Sequence, residues 1–418
     1  FHPGESQETF KIFVQGVGSW RRMWYNNRNA AIVRLDRLIQ RRKFGKGAIS
    51  ILRIWYNHTM CGENLTTKTV LQDLPGPLLA WYRANARDLP WRRTTDPYQI
   101  WVSEIMLQQT RVAAVLGYYA RFLETFPTVE ALAAAPEERL MKLWEGLGYY
   151  SRARNLQKAA REITALGGFP DTYDGLLALP GIGDYTASAI AAAAFGRREP
   201  AVDGNVLRVM TRLTDCHDDI SDPKTKRAVR AALAEVMPEE PADIRIFNQA
   251  MMELGATVCG PNTAPRCDDC PVSGLCLGRQ RETAETLPVK KAKKERRVEE
   301  KTVLLLKRDR KIALRKRPKT GLLAGLWEFP NVEGALDETA AGAAVEAMGL
   351  SVIDWQSRLT AKHIFTHVEW RMTGYALTVR GDGPAELEWV DAAGLAARSV
   401  PSAFARYYEE AKRELEMK

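Results

Sequence analysis

Three sets of residues in this 418-residue chain could do chemistry. The first is a single carboxylate, Glu104, set in DPYQIWVSEIMLQQT among Ile100, Trp101, Val102, Ile105, Met106 and Leu107. A carboxyl in such apolar surroundings is desolvated, which raises its pKa and keeps a proton available near neutral pH. The second is Asp203, delivered on the stretch VDGNV. It can supply a fixed negative charge or a nucleophile, and it can equally cap a helix starting near Val206. The third is a set of four cysteines, Cys259, Cys267, Cys270 and Cys276, spaced C-x7-C-x2-C-x5-C. Thiolates at that density suit zinc or an iron-sulfur cluster.

Glu104 needs a helix, and Asp96-Pro97 is a sequence that opens one. Between the two carboxylates runs LLALPGIGDYTASAIAAAAFGRREPAVDGNVLR, which reads as a helix, a hairpin turn, a second helix and the loop carrying Asp203. Leu179-Pro180 ends the first helix, and Gly181 and Gly183 bracket Ile182 in a turn that lets backbone come close to a partner. The amides freed there, beside the start of the helix near Tyr185, make an anion site suited to a DNA phosphate.

From Val70 to about Gly278, segments such as LLAWYRANA, RVAAVLGYYARFLETF, YYSRARNLQKAAREITAL and KRAVRAALAEVM put apolar residues at three- and four-residue steps. An all-α domain is expected. The stretch RETAETLPVKKAKKERRVEE is charge-dense and reads as a linker, with Lys290, Lys291, Lys293, Lys294, Arg296 and Arg297 available to phosphates or to solvent. Beyond it TVLLLK, KIALRKR and LWEFP are strand-like, ETAAGAAVEAMGL is helical, and HIFTHVEWRMTGYALTV alternates as strands do, so an α+β domain is expected.

A net charge of +9 favours a polyanionic partner without requiring one. No apolar run is long enough to span a bilayer, and a cytoplasmic protein with no membrane partner is expected. Of six cysteines, the clustered four fit ligation in a reducing compartment, and Cys61 and Cys216 are expected as free thiols. Residues 1–68 are rich in Arg, Trp and Asn, with VRLDRLIQRRKF as their one convincing helical stretch. They are left as an unassigned basic extension, expected to be poorly ordered, with Met60 a candidate initiator.

Together the apolar-set glutamate, the Leu-Pro-Gly-Ile-Gly hairpin, the aspartate loop and the cysteine run resemble the helix-hairpin-helix DNA glycosylases that carry an iron-sulfur cluster, and more narrowly the adenine DNA glycosylases. The resemblance spans roughly residues 70 to 415. It implies a helix-hairpin-helix glycosylase domain at 69–258, a 4Fe-4S cluster loop at 259–278, a charged linker at 279–298 and an α+β Nudix-like lesion-recognition domain at 299–418. The implied reaction hydrolyses the N-glycosidic bond of adenine opposite 8-oxoguanine, and of adenine opposite guanine, in duplex DNA, as the first step of base excision repair. The enzyme is expected to be monomeric and to work at the bacterial nucleoid.

That reaction needs a protonated purine leaving group and a negative charge beside an oxocarbenium-like sugar. The resemblance assigns the acid and the handling of water to Glu104, general acid catalysis being worth ~10²- to 10⁴-fold. It assigns the charge to Asp203, with Asn205 and Tyr185 positioning carboxylate and water. Bifunctional relatives have a lysine where Tyr185 stands, and a phenol cannot form their Schiff base, so a monofunctional enzyme is implied. Gln109 and Tyr149 match residues that insert beside the estranged base once adenine is flipped out, the hairpin residues Gly181, Ile182 and Gly183 match the DNA-binding turn, and Arg92, Arg152 and Arg154 are expected as phosphate contacts or pocket wall.

Phe365, Thr366 and His367 stand where the family reads 8-oxoguanine with Phe-Ser-His; threonine keeps the hydroxyl and adds a methyl. The family's first cysteine gap is usually six residues, one fewer than here. A working Nudix hydrolase needs a block of carboxylates to hold magnesium, and the corresponding helix here is nearly all Ala, so this domain is read as recognition only. Two rivals remain: an endonuclease-III-like oxidised-pyrimidine glycosylase/lyase, opposed by Tyr185 and the C-terminal domain, and a catalytically silent lesion-binding protein, opposed by Glu104 and Asp203.

Overall fold

The computed structural model describes residues 70–261, 263–291 and 295–416. The basic extension, Met60 and Cys61 lie outside them. The helical part runs α1 (Pro75–Asn85), α2 (Pro97–Leu107), α3 (Val112–Thr125), α4 (Val129–Ala134), α5 (Glu137–Trp144), α6 (Ser151–Leu166), α7 (Tyr173–Leu177), α8 (Asp184–Phe195), α9 (Gly204–Leu213), α10 (Pro223–Val236), α11 (Pro241–Thr257) and α12 (Leu277–Gln280). The segments with three- and four-residue apolar steps fall on α1, α3, α6 and α10.

Two apolar cores divide these helices. Trp101 and Met106 of α2, Phe122 of α3, Trp144 of α5, Leu156 of α6 and Ile190 of α8 form one. Leu78 of α1, Val206 and Met210 of α9, and Phe247 and Leu254 of α11 form the other. The chain thus begins in one lobe, builds the second, and returns. α8 belongs to both, since its Ala run has buried alanines on opposite sides and Ala192 reaches the second core. Glu104 projects from one lobe and Asp203 from the other, so a catalytic pairing can form only at their junction.

The C-terminal domain is a seven-stranded mixed sheet: β1 (Arg297–Arg308), β2 (Lys311–Lys316), β3 (Trp327–Glu328), β4 (Asn331–Glu333), β5 (Ser351–Ile364), β6 (Val368–Arg380) and β7 (Leu387–Val390). The main order is β3-β2-β1-β6-β5, with β4 paired to β1 and β7 to β2. β1 and β6 are parallel, and the other pairs are antiparallel. The unbroken apolar run of β1 follows from burial on both faces. Val303 and Leu305 meet Tyr407 and Leu415 of α15 (Ala405–Glu416), while Leu304 and Leu306 meet Ala341 and Val345 of α13 (Glu338–Ala347). A short α14 (Ala392–Ala397) precedes α15.

The sequence left most of β5 unread. It is the edge strand, Ile353, Asp354, Trp355 and Gln356 are all exposed, and bulges interrupt its pairing, so no apolar alternation marks it. The expected linker is likewise more than a solvated connector. Ala284 and Leu287 are buried, Leu287 O accepts from Arg212 Nε at 3.0 Å, and Val289 O accepts from Ile220 N at 3.1 Å. Two apolar residues in a charged run give no periodicity to detect. Cys216, expected as a free thiol, is disulfide-bonded; an isolated cysteine carries no spacing signal of pairing.

Trp144 is fully buried, meets Phe122 edge-on and donates from Nε1 to Gly148 O at 3.1 Å. Trp144→Ala is expected to lower the unfolding free energy by ~3–5 kcal/mol, measured by urea titration; a loss within experimental error would contradict its place in the core.

Candidate active site

Glu104 sits on α2, whose N-cap Asp96 accepts from Tyr98 N at 2.8 Å with Pro97 in the first turn. Its neighbours Ser103, Ile105 and Met106 are buried, whereas Glu104 itself keeps partial exposure. Burial pushes its carboxyl up to about 7, and the negative charge of Asp203 adds to the rise, outweighing the opposing pull of the Tyr185 bond and the Arg92 charge. Tyr185, in the first turn of α8, donates its hydroxyl to Glu104 Oε2 at 2.8 Å, and Met252 Sδ lies 3.1 Å from that Tyr185 hydroxyl.

Asp203 is the N-cap of α9 and faces Glu104 electrostatically at once, so the capping and chemical readings coexist. It accepts from Val206 N at 2.8 Å and from Asn205 Nδ2 at 2.7 Å. Burial raises its pKa against the pull of these bonds and of Arg208. Asn205 is fixed in turn: its Oδ1 accepts from Arg208 Nη2 at 2.9 Å, and Arg208 also donates to Gly255 O at 2.7 Å and Cys259 O at 2.8 Å. A Cβ on Gly255 would stand 2.7 Å from that of Asn205, so α11 must carry glycine where α9 crosses it.

Two residues escaped the sequence reading. Glu253 of α11 is 1% exposed and accepts from Arg87 Nε at 2.7 Å, Arg87 Nη2 at 2.7 Å and Arg92 Nη2 at 2.7 Å. Burial alone would raise this carboxyl; the two guanidiniums outweigh that and hold it at about 2. Glu253 lies on a helix whose other residues read as ordinary core, and its partners are remote in sequence. Only the fold could reveal the triad. Arg92, expected as a phosphate contact or pocket wall, therefore spends its guanidinium on Glu253 and on Arg87 O, beside Glu104.

Arg152 is similarly internal. Its guanidinium donates to Ile105 O, Met106 O and Gln108 O at the end of α2, and to Leu147 O and Gly148 O in the loop before α6. One side chain thus ties together the two turns that present Gln109 and Tyr149. Both of those residues adopt left-handed backbone, φ 58° and 46°, and both are exposed. Tyr149 Oη lies 2.8 Å from Thr366 Oγ1, which brings the hydroxyl of the C-terminal turn to the helical domain. Phe365 packs on Trp370 and His363 behind that turn, while Thr366 and His367 are exposed at its tip. Arg154 donates to Glu137 Oε1 and to Ala324 O, an interdomain contact instead of a free cation.

At the hairpin, Gly181 has φ 76° and Gly183 is the N-cap of α8, and both are exposed. Ile182 points into the core, and its amide, expected among those free for a phosphate, donates to Leu179 O. The four cysteines are partly exposed, and each lies within electrostatic reach of the other three. Arg212 Nη1 stands 3.2 Å from Cys259 Sγ. Among the described residues no group of three or more His, Cys, Asp or Glu is placed to hold a metal ion, and no helix is long and apolar enough to cross a membrane.

Residues 102–239 match the family described as HhH-GPD superfamily base excision DNA repair protein, and residues 302–410 match the NUDIX domain. Fold and site are those of a DNA glycosylase acting on DNA, followed by a Nudix-like domain. The adenine DNA glycosylase of Homo sapiens is 36% identical across 74% of this chain and 67% of its own length; that of Rattus norvegicus is 35% identical across 80% and 78%. The solved structure of a thermostable thymine-DNA glycosylase is similar at 28% identity and a TM-score of 0.45, covering 51% of this chain and 99% of that one. The chain belongs to the adenine DNA glycosylase family.

The folded Glu104 holds its proton up to about 7, against an ordinary value of 4.5, so its ionisation weakens folding progressively as pH rises through that window. Glu104→Gln is expected to be more stable than the parent at pH 8 and to lose that advantage at pH 4, read from urea midpoints; a variant less stable at pH 8 contradicts the strained carboxyl. Arg152→Lys cannot span five carbonyls with one ammonium. It is expected to cost ~2 kcal/mol or more through carbonyls left unpaired, measured the same way, and an unchanged midpoint would rule out the clamp.

Proposed function

We propose that this protein hydrolyses the N-glycosidic bond of adenine paired with 8-oxoguanine in duplex DNA, leaving an abasic site. The observation that carries the reading is Glu104, held near neutrality in its protonation, hydrogen-bonded by Tyr185 and facing Asp203. Protonated Glu104 donates to a ring nitrogen of the extrahelical adenine, so that the base departs neutral. Asp203, locked by Val206 N and Asn205, supplies the negative charge that the cationic sugar requires. Water, oriented by the carboxylate left on Glu104, completes the hydrolysis.

With a phenol at 185, bonded to Glu104, no amine is available there to attack the sugar, which supports a monofunctional reaction. The exposed glycine hairpin supports phosphate binding, and Gln109 and Tyr149, strained and exposed at one rim, suit insertion into the stack vacated by the base. Thr366 and His367 at the exposed turn suit the reading of 8-oxoguanine opposite. The enzyme acts as a monomer, at the nucleoid.

No three of Cys259, Cys267, Cys270 and Cys276 are placed to hold a single ion, and the chemistry of their all-sulfur donor set, bordered by the Arg212 guanidinium, suits a 4Fe-4S cluster. Bound there, the cluster would brace the loop whose Cys259 carbonyl holds Arg208, and through it Asn205 and Asp203.

Single-turnover base release from adenine·8-oxoguanine and adenine·thymine duplexes, with alkali to reveal abasic sites, tests the reading. Rapid alkali-dependent cleavage of the first alone is expected, with a rate that declines as pH rises above about 7 because the acid form of Glu104 is lost. Glu104→Gln should lose at least ~10²-fold. Strand cleavage without alkali, or a borohydride-trapped adduct in high yield, would overturn the monofunctional assignment. Purified protein should contain iron and acid-labile sulfide, both lost in Cys270→Ser; zinc in their place would overturn the cluster.

A further inference from the structure

The Nudix-like domain does not merely follow the helical one; it is plugged into it. Leu326, 1% exposed, belongs to the same core as Trp101, Phe122 and Trp144 of the helical domain. Leu323 packs against that core and against the sheet core of its own domain. Arg154 reaches across to Ala324 O at 2.6 Å, steadied by Glu137 Oε1 at 2.8 Å. Gly325, with φ 64°, leaves room for that guanidinium: a Cβ there would stand 3.0 Å from Arg154 Nη2. Around the plug, Lys142 Nζ donates to Arg398 O at 3.2 Å, and Val400 N donates to Glu145 Oε1 at 3.2 Å.

The polar contacts fall on α5, on Glu145 just past its end and on the first turn of α6, close in sequence to Tyr149. Arg154 lies five positions beyond Tyr149, in the first turn of the helix that follows it. The C-terminal domain is therefore held at Ala324 by one end of this short stretch and meets Tyr149 through Thr366 at the other. A domain freed from the plug can tilt about its connection, and a tilt shifts Thr366 away from Tyr149.

We propose that the Leu323–Leu326 plug and Arg154 form an interdomain lock that sets lesion preference, making Leu326 and Arg154 specificity-determining positioning residues that act through Thr366 and Tyr149. This rests on the reading given under Proposed function. The lock holds the lesion-reading turn in register with the active site, while Glu104, Tyr185 and Asp203 belong wholly to the helical domain and do not depend on it. Loosening the lock therefore erodes the advantage of adenine opposite 8-oxoguanine over adenine opposite guanine, and spares the release of adenine itself.

The test uses the full chain and its Arg154→Ala and Leu326→Ala variants, with Leu132→Ala, in the same helical core but on α4, which carries none of the polar contacts named above, as a control for lost stability. Single-turnover rates are measured on both duplexes, and the radius of gyration is measured by small-angle scattering. Expected is a fall of about tenfold in the rate ratio for both lock variants, with the adenine·guanine rate within about twofold of the parent, and a larger radius of gyration. Leu132→Ala keeps the parental ratio. Equal losses on both duplexes, an unchanged ratio, an unchanged radius, or a shifted ratio in Leu132→Ala would each overturn the lock. Should Leu326→Ala fail to fold, Arg154→Ala decides, since it removes no core side chain. A parent without preference for 8-oxoguanine sinks the functional reading instead, and scattering then judges the lock alone.

Discussion

Keeping a carboxylic acid protonated near neutral pH, while leaving it reachable by a substrate, is the constraint from which the rest of this structure follows. Water must be kept from most of Glu104, yet one side has to open on a cleft. A single core would bury the group outright. Two cores meeting at a seam solve the problem, with α2 supplying the acid from one lobe, α9 supplying Asp203 from the other, and α8 shared between them. The raised pKa of Glu104 is the electrostatic signature of that seam.

Around it, guanidiniums act as rivets. Arg152 joins two turns, Arg208 joins the cysteine loop to Asn205, and Arg87 and Arg92 close on Glu253. Each offers several donors in a fixed plane, which lets one residue satisfy carbonyls from separate elements. Four of the arginines that a basic composition offers to DNA are thus committed to contacts within the protein. What stays exposed is backbone at the glycine hairpin and the left-handed tips at Gln109 and Tyr149.

How much of this was legible in the sequence divides by distance along the chain. Glu104 could be read because its desolvating neighbours are adjacent in sequence, and Asp203 because a capping residue announces itself locally; the helices with strong 3.6-residue periodicity were equally plain. Arg92, Arg152 and Arg154 were visible as residues but not as roles, since each has at least one partner remote in sequence: Glu253 for Arg92, the end of α2 for Arg152 and Ala324 for Arg154. Glu253 was invisible because a buried glutamate on a core helix has no signature until its partners arrive. The edge strand β5 lacked apolar alternation for the opposite reason, being too exposed to need it.

The return of the chain to its starting lobe has a consequence for biogenesis. Helices α2 to α8 can assemble their core while the polypeptide is still being made, because that core is almost entirely their own. Helix α1 cannot do the same: its partners α9 and α11 emerge more than a hundred residues later. Until then its apolar face waits without a home, and closing so long a loop is slow. The two carboxylates consequently meet only when the second lobe closes, so a nascent or truncated chain holds a folded first lobe in which Glu104 still lacks Asp203 beside it.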